Sequence, residues 1–211
     1  TIDFDDVTHK GITNISTDDV AVAQELGYVI KLVGDVREVE SGISAEVSPT
    51  FLPKNHPLAS VNDVMNAVFV ESIGIGESMY YGPGAGQKPT ATSVLADIIR
   101  IARRLSDGNV GKPFNEFRRD LPLANPADVK SNYYFALDTP DEKGKILHLS
   151  EIFNSEDISF EQVLQQKANG TTARIVVITH AMSKTQLKAV TEKLEAAEDF
   201  TVVNTLKVLS N

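Results

Sequence analysis

The chain has 211 residues, 42% of them hydrophobic, with no cysteine and a formal net charge of −9. This acidic balance argues against a general nucleic-acid-binding protein, which needs basic patches to neutralise phosphates, and against binding to anionic membranes. Without cysteine there is no disulfide, thiolate metal site or cysteine nucleophile. The sequence has no apolar run that could span a bilayer and no signal-peptide pattern, so we expect a cytoplasmic protein without nucleic-acid or membrane partners.

The first part of the chain predicts one helix followed by a β-hairpin. Ser16 is a typical helix N-cap, and Gly27 is a typical residue just past a helix C-terminus. Apolar and polar residues then alternate over 28–34 and 43–52, which predicts two antiparallel strands joined by a tight turn. We interpret the acidic pair Asp5-Asp6 as a solvated face and the pair Asp18-Asp19 as a helix start, and neither pair as paired general acids.

The middle of the chain predicts a short helix over 60–65 and two strands over 67–73 and 78–81. Apolar residues at three- and four-residue spacing then predict an amphipathic helix over 93–105. A histidine, His56, precedes these elements. No carboxylate partner or nucleophile is evident beside it, so we expect it to stabilise a turn and not to act in catalysis.

Three glycines, Gly82, Gly84 and Gly86, stand within five residues in front of the long helix. Glycine allows sharp turns and close backbone approach, and the N-terminus of a helix attracts anions. Gln87, however, stands where both the Rossmann fingerprint and the Walker A loop need glycine. The residues alone therefore leave two interpretations open, a phosphate-binding loop and a plain strand-to-helix connection.

The last part of the chain predicts a second domain. Residues 109–130 carry three prolines, one glycine and scattered charges, which is typical of a linker between a first domain at 1–108 and a second at 131–211. The second domain predicts the order β-α-β-β-α-β of a ferredoxin-like fold, with a hairpin turn at 169–171. The predicted fold class is therefore α+β: a mixed or antiparallel sheet with flanking helices, followed by this ferredoxin-like unit.

Several short motifs, in their order and spacing, resemble the homoserine dehydrogenase family. They are Gly11-Ile12-Thr13-Asn14-Ile15-Ser16, Leu26-Gly27-Tyr28, His56-Pro57-Leu58-Ala59-Ser60-Val61, Asn66-Ala67-Val68-Phe69-Val70 and Tyr81-Gly82-Pro83-Gly84-Ala85-Gly86. The closing β-α-β-β-α-β unit resembles the ACT domain that bacterial members append. The resemblance covers essentially the whole chain and implies the C-terminal part of the substrate and dimerisation domain at 1–108, then an ACT domain at 131–211.

The resemblance implies an NAD(P)-dependent parent enzyme of threonine and methionine biosynthesis, which interconverts L-homoserine and L-aspartate 4-semialdehyde and forms a homodimer or higher homo-oligomer. Family members also contain an N-terminal Rossmann domain and a D-x-x-G-x-D-A-x-x-K segment with the proton-relaying lysine. Neither pattern occurs here, and the sequence starts at Thr1 without a Met. We therefore expect a piece of a longer polypeptide, without a catalytic residue of its own and inactive in isolation. The alternative is a stand-alone amino-acid-binding or dimerisation module.

The resemblance also assigns roles to the glycine-rich loop. In the family, the middle glycine of a G-x-G-A-G loop contacts the nicotinamide cofactor, which implies this contact for Gly84, with Gly82 and Gly86 shaping the loop. The choice between NAD and NADP is made in the Rossmann domain. The histidines show no metal-ligand spacing, so no metal site is expected.

ACT domains bind an amino acid where their first strand meets their first helix. The resemblance implies L-threonine as an allosteric effector, with Asp138, Gly144 and Gln162 as candidate ligands. The turn from Asp138 to Ile146 is longer than usual for the family and places Gly144 late. A second interpretation therefore stays open, in which the ACT fold serves only packing or dimerisation.

Overall fold

The computed structural model describes residues 2–108, 120–166 and 171–209. It divides into two compact units, one made of Thr1–Lys54 with Leu121–Asn211 and the other of Asn55–Asp120. The sequence grouped residues 1–54 with the glycine-rich loop in one domain, 1–108. In the structure these residues instead share a β-sheet with the C-terminal segment.

The described part of the chain contains ten strands and four α-helices. The strands are β1 (Thr8–His9), β2 (Tyr28–Val39), β3 (Gly42–Pro53), β4 (Met65–Ser72), β5 (Gly76–Pro83), β6 (Lys130–Pro140), β7 (Phe160–Gln166), β8 (Thr172–Thr179), β9 (Met182–Ser183) and β10 (Thr201–Val208). The α-helices are α1 (Thr17–Glu25), α2 (Gln87–Ser106), α3 (Lys145–Asn154) and α4 (Lys184–Ala196). This composition confirms a mixed α+β fold with flanking helices. None of the described helices is long and apolar enough to cross a membrane.

Helix α1 begins where the sequence predicts. The Ser16 hydroxyl accepts a hydrogen bond from the Asp19 amide at 3.1 Å, and the Asp19 carboxylate accepts one from the Ser16 amide at 2.9 Å, which forms a capping box. Asp19 is nevertheless buried, at 2% exposure. Its carboxylate also accepts hydrogen bonds from the Tyr134 hydroxyl at 2.9 Å and the Asn204 amide at 3.0 Å. Asp18 and Asp19 therefore form a helix start, as predicted, and Asp19 in addition connects α1 to strands of the C-terminal segment.

Strands β2 and β3 form the predicted antiparallel hairpin, paired from Tyr28 with Pro53 to Val39 with Gly42. On its other side, β3 pairs in parallel with both β1 and β10. The β10 contact aligns Lys207 with Thr50 and continues as a hydrogen bond from the Leu209 amide to the Phe51 carbonyl at 2.9 Å. This pairing puts the hairpin and the C-terminal segment into one sheet, which is why the units divide differently from the predicted domains.

In the C-terminal segment the sheet order is β10-β6-β8-β7, and all three pairings are antiparallel. Helix α3 connects β6 to β7, and α4 leads into β10. The two-residue strand β9 pairs with the start of β6. The turn predicted at 169–171 falls largely on residues 167–170, which lie outside the described residues.

Alternate residues of β6 point to opposite sheet faces and build two cores. One core packs α3 and α4 against the sheet through Tyr133, Phe135, Leu137, Leu149, Phe153, Ile158, Ile175, Val177, Met182, Val190, Leu194 and Phe200. The other packs α1 against the opposite face through Val22, Ala23, Phe51, Tyr134, Ala136, Val176, Ile178, Leu206 and Val208. The rings of Phe51 and Tyr134 stack with centroids 4.4 Å apart, which ties β3 to the centre of the sheet.

The second unit contains the hairpin of β4 and β5 and the helix α2. The two strands are antiparallel, paired from Met65 with Pro83 to Ser72 with Gly76. The short helix predicted over 60–65 is wrong: a 3-10 turn at Pro57–Ser60 occupies the region, and Asp63 follows with a φ of +54°. Pro57 stands at the first helical position of that turn, which explains why the turn begins earlier than predicted.

A buried ion cluster joins the β2–β3 hairpin to β10. Lys207 is 5% exposed and donates hydrogen bonds to the carboxylates of Asp35 and Glu46. Lys184, at the start of α4, forms an ion pair with the second oxygen of Glu46 at 2.7 Å. Burial alone would raise the pKa values of Asp35 and Glu46, but hydrogen bonds and charge from Lys207 bring both below their usual values. Both carboxylates are therefore ionised at neutral pH.

Replacement of Lys207 by Met is expected to lower the free energy of unfolding at neutral pH by about 1–3 kcal/mol. The buried Glu46 and the half-buried Asp35 lose their shared cation and keep only Lys184 and Arg37 as partners. In the native chain both pKa values are lowered, so this stabilisation is present above the unfolded-state pKa values of about 4 and is lost as the pH falls through the native values. Urea titrations should therefore show that the free energies of unfolding of the native chain and of Lys207→Met become more similar towards acidic pH.

Lys188→Met is the matched control, since Lys188 lies on the exposed surface of α4, 3.8 Å from Glu192. It should change the free energy of unfolding by no more than about 0.5 kcal/mol. A difference between native chain and Lys207→Met that stays constant with pH would contradict the assigned role of Lys207.

Candidate functional site

The glycine-rich loop connects the end of β5 to the start of α2. Gly86 is the N-cap of α2, with a φ of +119° and a ψ of 152°, a backbone conformation that is essentially restricted to glycine. No side chain among the residues that the structure describes caps the first turn of α2. Its N–H groups and the positive end of the helix dipole therefore remain available to a ligand.

Gly84 lies close to a side chain of β4. A Cβ atom at Gly84 would lie 1.9 Å from Nδ2 and 2.6 Å from Cγ of Asn66, far closer than real contacts allow. The Gly84 amide also donates a hydrogen bond to the Val64 carbonyl at 3.2 Å. At Gly82, by contrast, a Cβ atom would meet no atom of the described residues within 4 Å. The three glycines therefore have three different local environments.

Helix α2 carries a large apolar surface that none of the described residues covers. It contains no buried residue, and its exposed side chains include Val94, Leu95, Ile98, Ile99, Ile101 and Leu105. Beside the loop, an open groove of about 610 Å³ is lined by Gly86, Gln87, Thr90, Ala91, Val94, Leu95 and Ile98. Contiguous exposed apolar surface of this kind marks a binding or packing site.

His56 stabilises a turn, as predicted. Its Nδ1 accepts a hydrogen bond from the Leu58 amide at 3.2 Å and so caps the turn at Pro57–Ser60. Its ring lies against Phe69 with centroids 5.0 Å apart. Burial lowers the pKa of His56, and the charge of Glu77 opposes this shift. The imidazole is therefore neutral at pH 7.

The proposed effector residues do not lie together on one face of the sheet. Asp138 is bound by Arg174 through two hydrogen bonds of 2.8 and 3.1 Å, and Arg174 also approaches Asp18 of α1 at 3.5 Å. Asp138 therefore faces the side that carries α1. Gly144, with a φ of +91°, is the N-cap of α3 on the opposite side. Gln162 follows a bulge in the edge strand β7.

The sequence did not reveal one further residue that lies beside these candidates. Thr139 is 2% exposed, and its hydroxyl has no hydrogen-bond partner in the part of the chain that the structure describes. It follows Asp138 in β6, so it points to the opposite face, on which α3 packs. An unpaired buried hydroxyl is costly and is uncommon in native proteins. No local sequence signal reveals it, because a threonine in a strand usually pairs or faces solvent.

A second missed cluster lies where α3 meets the turn before β10. Asp199 accepts a hydrogen bond from Lys145 at 3.2 Å and lies 3.0 Å from Nδ1 of His148. Burial opposes ionisation of Asp199, but the hydrogen bonds of His148 and Lys145 outweigh it and lower its pKa. This pairing fixes the start of α3. Within residues 2–108, 120–166 and 171–209, no three His, Asp or Glu side chains approach closely enough to hold a metal ion.

Comparisons with known proteins identify relatives of the chain. Residues 1–99 match the family model described as homoserine dehydrogenase. The chain is 58% identical over 211 residues to a homoserine dehydrogenase of Lactococcus lactis, covering 100% of this chain and 49% of the relative. It is 37% identical to the Corynebacterium glutamicum homoserine dehydrogenase, covering 96% of this chain and 46% of that protein.

The fold is similar to a crystal structure of homoserine dehydrogenase from Thiobacillus denitrificans, with a TM-score of 0.88 and 30% sequence identity. The match covers 99% of this chain and 48% of that chain. The chain therefore spans about half the length of the relatives that it matches.

Proposed function

Because the chain belongs to the homoserine dehydrogenase family and corresponds to a C-terminal portion of its members, we propose that it is part of an NAD(P)-dependent homoserine dehydrogenase. The parent reaction is reversible hydride transfer between L-homoserine and L-aspartate 4-semialdehyde in threonine and methionine biosynthesis. The observation that carries this proposal is the 58% identity to the Lactococcus lactis enzyme over the entire chain.

In the proposed enzyme, the glycine-rich loop faces the cofactor and Gly84 contacts it. The loop fits a flat ring or a phosphate, because Gly82, Gly84 and Gly86 present bare main chain in front of an uncapped helix. When bound, NAD(P) supplies or accepts the hydride. The chain's own contribution is to bind and orient the cofactor through main-chain atoms. The groups that transfer protons belong to a part of the parent protein outside these residues.

The exposed surfaces of the second unit support a larger parent protein. Helix α2 and the β4–β5 hairpin expose many large apolar side chains, among them Leu95, Ile98, Ile73 and Tyr80. A stable soluble protein rarely leaves so much apolar area in water. Coverage by the half of the family's chain that this sequence does not span explains these surfaces. We therefore propose that the isolated chain has no dehydrogenase activity.

The C-terminal segment is proposed to be a regulatory ACT domain at 131–211, preceded by a linker at 109–130. Its support is the order β-α-β-β-α-β with a β10-β6-β8-β7 antiparallel sheet. Residues 1–108 are proposed to contribute to a homodimer or higher homo-oligomer in the cytoplasm.

L-threonine is the proposed effector of this domain. The bare N–H groups behind Gly144 suit a carboxylate, and the unpaired hydroxyl of Thr139 lies at the end of the preceding strand. Asp138 is occupied by Arg174, so a role for Asp138 in threonine binding requires that this pair open. Gln162, on the edge strand, is a further proposed ligand. The competing possibility is a segment that serves only packing or dimerisation.

A chimeric enzyme tests the catalytic proposal. The chain is joined to the half of the Lactococcus lactis enzyme that it does not match, and aspartate semialdehyde reduction is followed by oxidation of NADH and NADPH. We expect activity in the chimera and none in the isolated chain, because the hydride donor and the proton-transfer groups meet only in the former. A folded but inactive chimera would contradict the proposal. Turnover by the isolated chain would favour a self-sufficient protein.

Isothermal titration of L-threonine into the full chain tests the effector proposal. We expect heat of binding at millimolar ligand, and weaker binding by Thr139→Val, which removes the unpaired hydroxyl but keeps the side-chain volume. Thr191→Val is the matched control, since that hydroxyl on α4 is already bonded to the Leu187 carbonyl at 2.7 Å. Absence of heat from the native chain would leave the packing role as the explanation of this segment.

A further inference from the structure

We infer that Asn66 is a positioning residue for the glycine-rich loop: its side-chain amide fixes the path of the loop and imposes glycine at position 84. This inference rests on the proposed function of the loop in cofactor binding. Asn66 lies in β4, outside the loop itself, and nothing in the glycine pattern points to it.

The β4–β5 hairpin brings Asn66 to the loop. In its register Asn66 is opposite Gly82, and its side chain extends past this position towards Gly84. The space that a side chain at Gly84 would occupy is taken by the amide of Asn66, with Nδ2 at 1.9 Å and Cγ at 2.6 Å from the ideal Cβ position. Any larger residue at position 84 must therefore displace Asn66 or move the loop.

The Gly84 amide and the Asn66 side-chain amide donate to the same carbonyl oxygen. The Val64 carbonyl accepts the Gly84 amide at 3.2 Å and the Asn66 Nδ2 at a longer 3.4 Å. A carbonyl oxygen has two lone pairs and can accept both donors. Val64 immediately precedes β4, so this oxygen is anchored by the hairpin. The Asn66 amide thus packs against the loop at the point where the loop is bonded to the strand.

Two explanations of Gly84 now make different predictions. If the cofactor requires glycine by filling the space beside the main chain, then removing the Asn66 side chain will not make alanine acceptable. If Asn66 imposes the glycine, its truncation makes room for an alanine Cβ. The nearest remaining atom of residue 66 is then its Cβ at 3.3 Å, which needs a shift of only a few tenths of an ångström.

A double-mutant cycle in the chimeric enzyme separates these explanations. Gly84→Ala should raise the KM for NAD(P)H by about tenfold with a smaller effect on kcat, because the displaced loop weakens cofactor binding. Asn66→Ala should raise this KM less. In the Asn66→Ala background, Gly84→Ala should add a factor of no more than about two. Equal effects of Gly84→Ala in both backgrounds would overturn the inference.

Gly74→Ala is the matched control, since a Cβ atom there meets no atom of the described part of the chain within 4 Å and the residue lies in the far turn of the same hairpin. It should leave KM and kcat unchanged. The same four proteins of the cycle, prepared as the isolated chain, provide a readout that does not depend on catalysis. Gly84→Ala should lower the melting temperature, and Asn66→Ala should suppress that loss.

The two readouts keep the proposals distinguishable. A folded chimera without activity would count against the proposed function, while the melting temperatures would still decide about Asn66. Melting-temperature losses that simply add would overturn the role of Asn66, whatever the chimera does.

Discussion

The short parallel pairing of β3 with β10 is the contact on which the larger unit depends. It turns an N-terminal hairpin and a C-terminal β-α-β-β-α-β segment into one sheet. Lys207 secures it from one face by bridging Asp35 and Glu46, and the stacked rings of Phe51 and Tyr134 secure it from the other. In the proposed enzyme, this contact joins a part of the proposed substrate domain directly to the proposed regulatory domain.

The sequence predicted those features whose signals are local. Ser16 and Gly27 bound α1, and the alternation of apolar residues placed the β2–β3 hairpin, because caps and strand periodicity depend on neighbours within a few residues. The grouping of the units was not predictable in this way. The strand β10, which pairs with β3, lies near the other end of the chain. A parallel pairing of only two residues produces no recognisable pattern in the local sequence. The burial of Asp19 was equally unpredictable, because Tyr134 and Asn204, which contact it, lie on strands that are distant in sequence.

The candidate site shows the same division between local and distant causes. The glycine-rich loop could be located from its composition, and the conformation of Gly86 explains one of its glycines. The glycine at Gly84 depends on Asn66, which reaches it only through the hairpin register. At the other candidate site, the carboxylate of Asp138 looked available in the sequence, yet Arg174 from the neighbouring strand already binds it. Side-chain availability is a tertiary property, and residue type alone does not reveal it.

Native-state hydrogen exchange on the full chain tests most directly whether the β3–β10 contact makes one cooperative unit. Amides of β2 and β3 and amides of β6 and β10 should then share the same opening free energy, since the hairpin cannot open without breaking the sheet. In Lys207→Met, the opening free energy of all four strands should fall together. Exchange of β2 and β3 at a clearly lower opening free energy than β6 and β10 in the native chain would contradict this account.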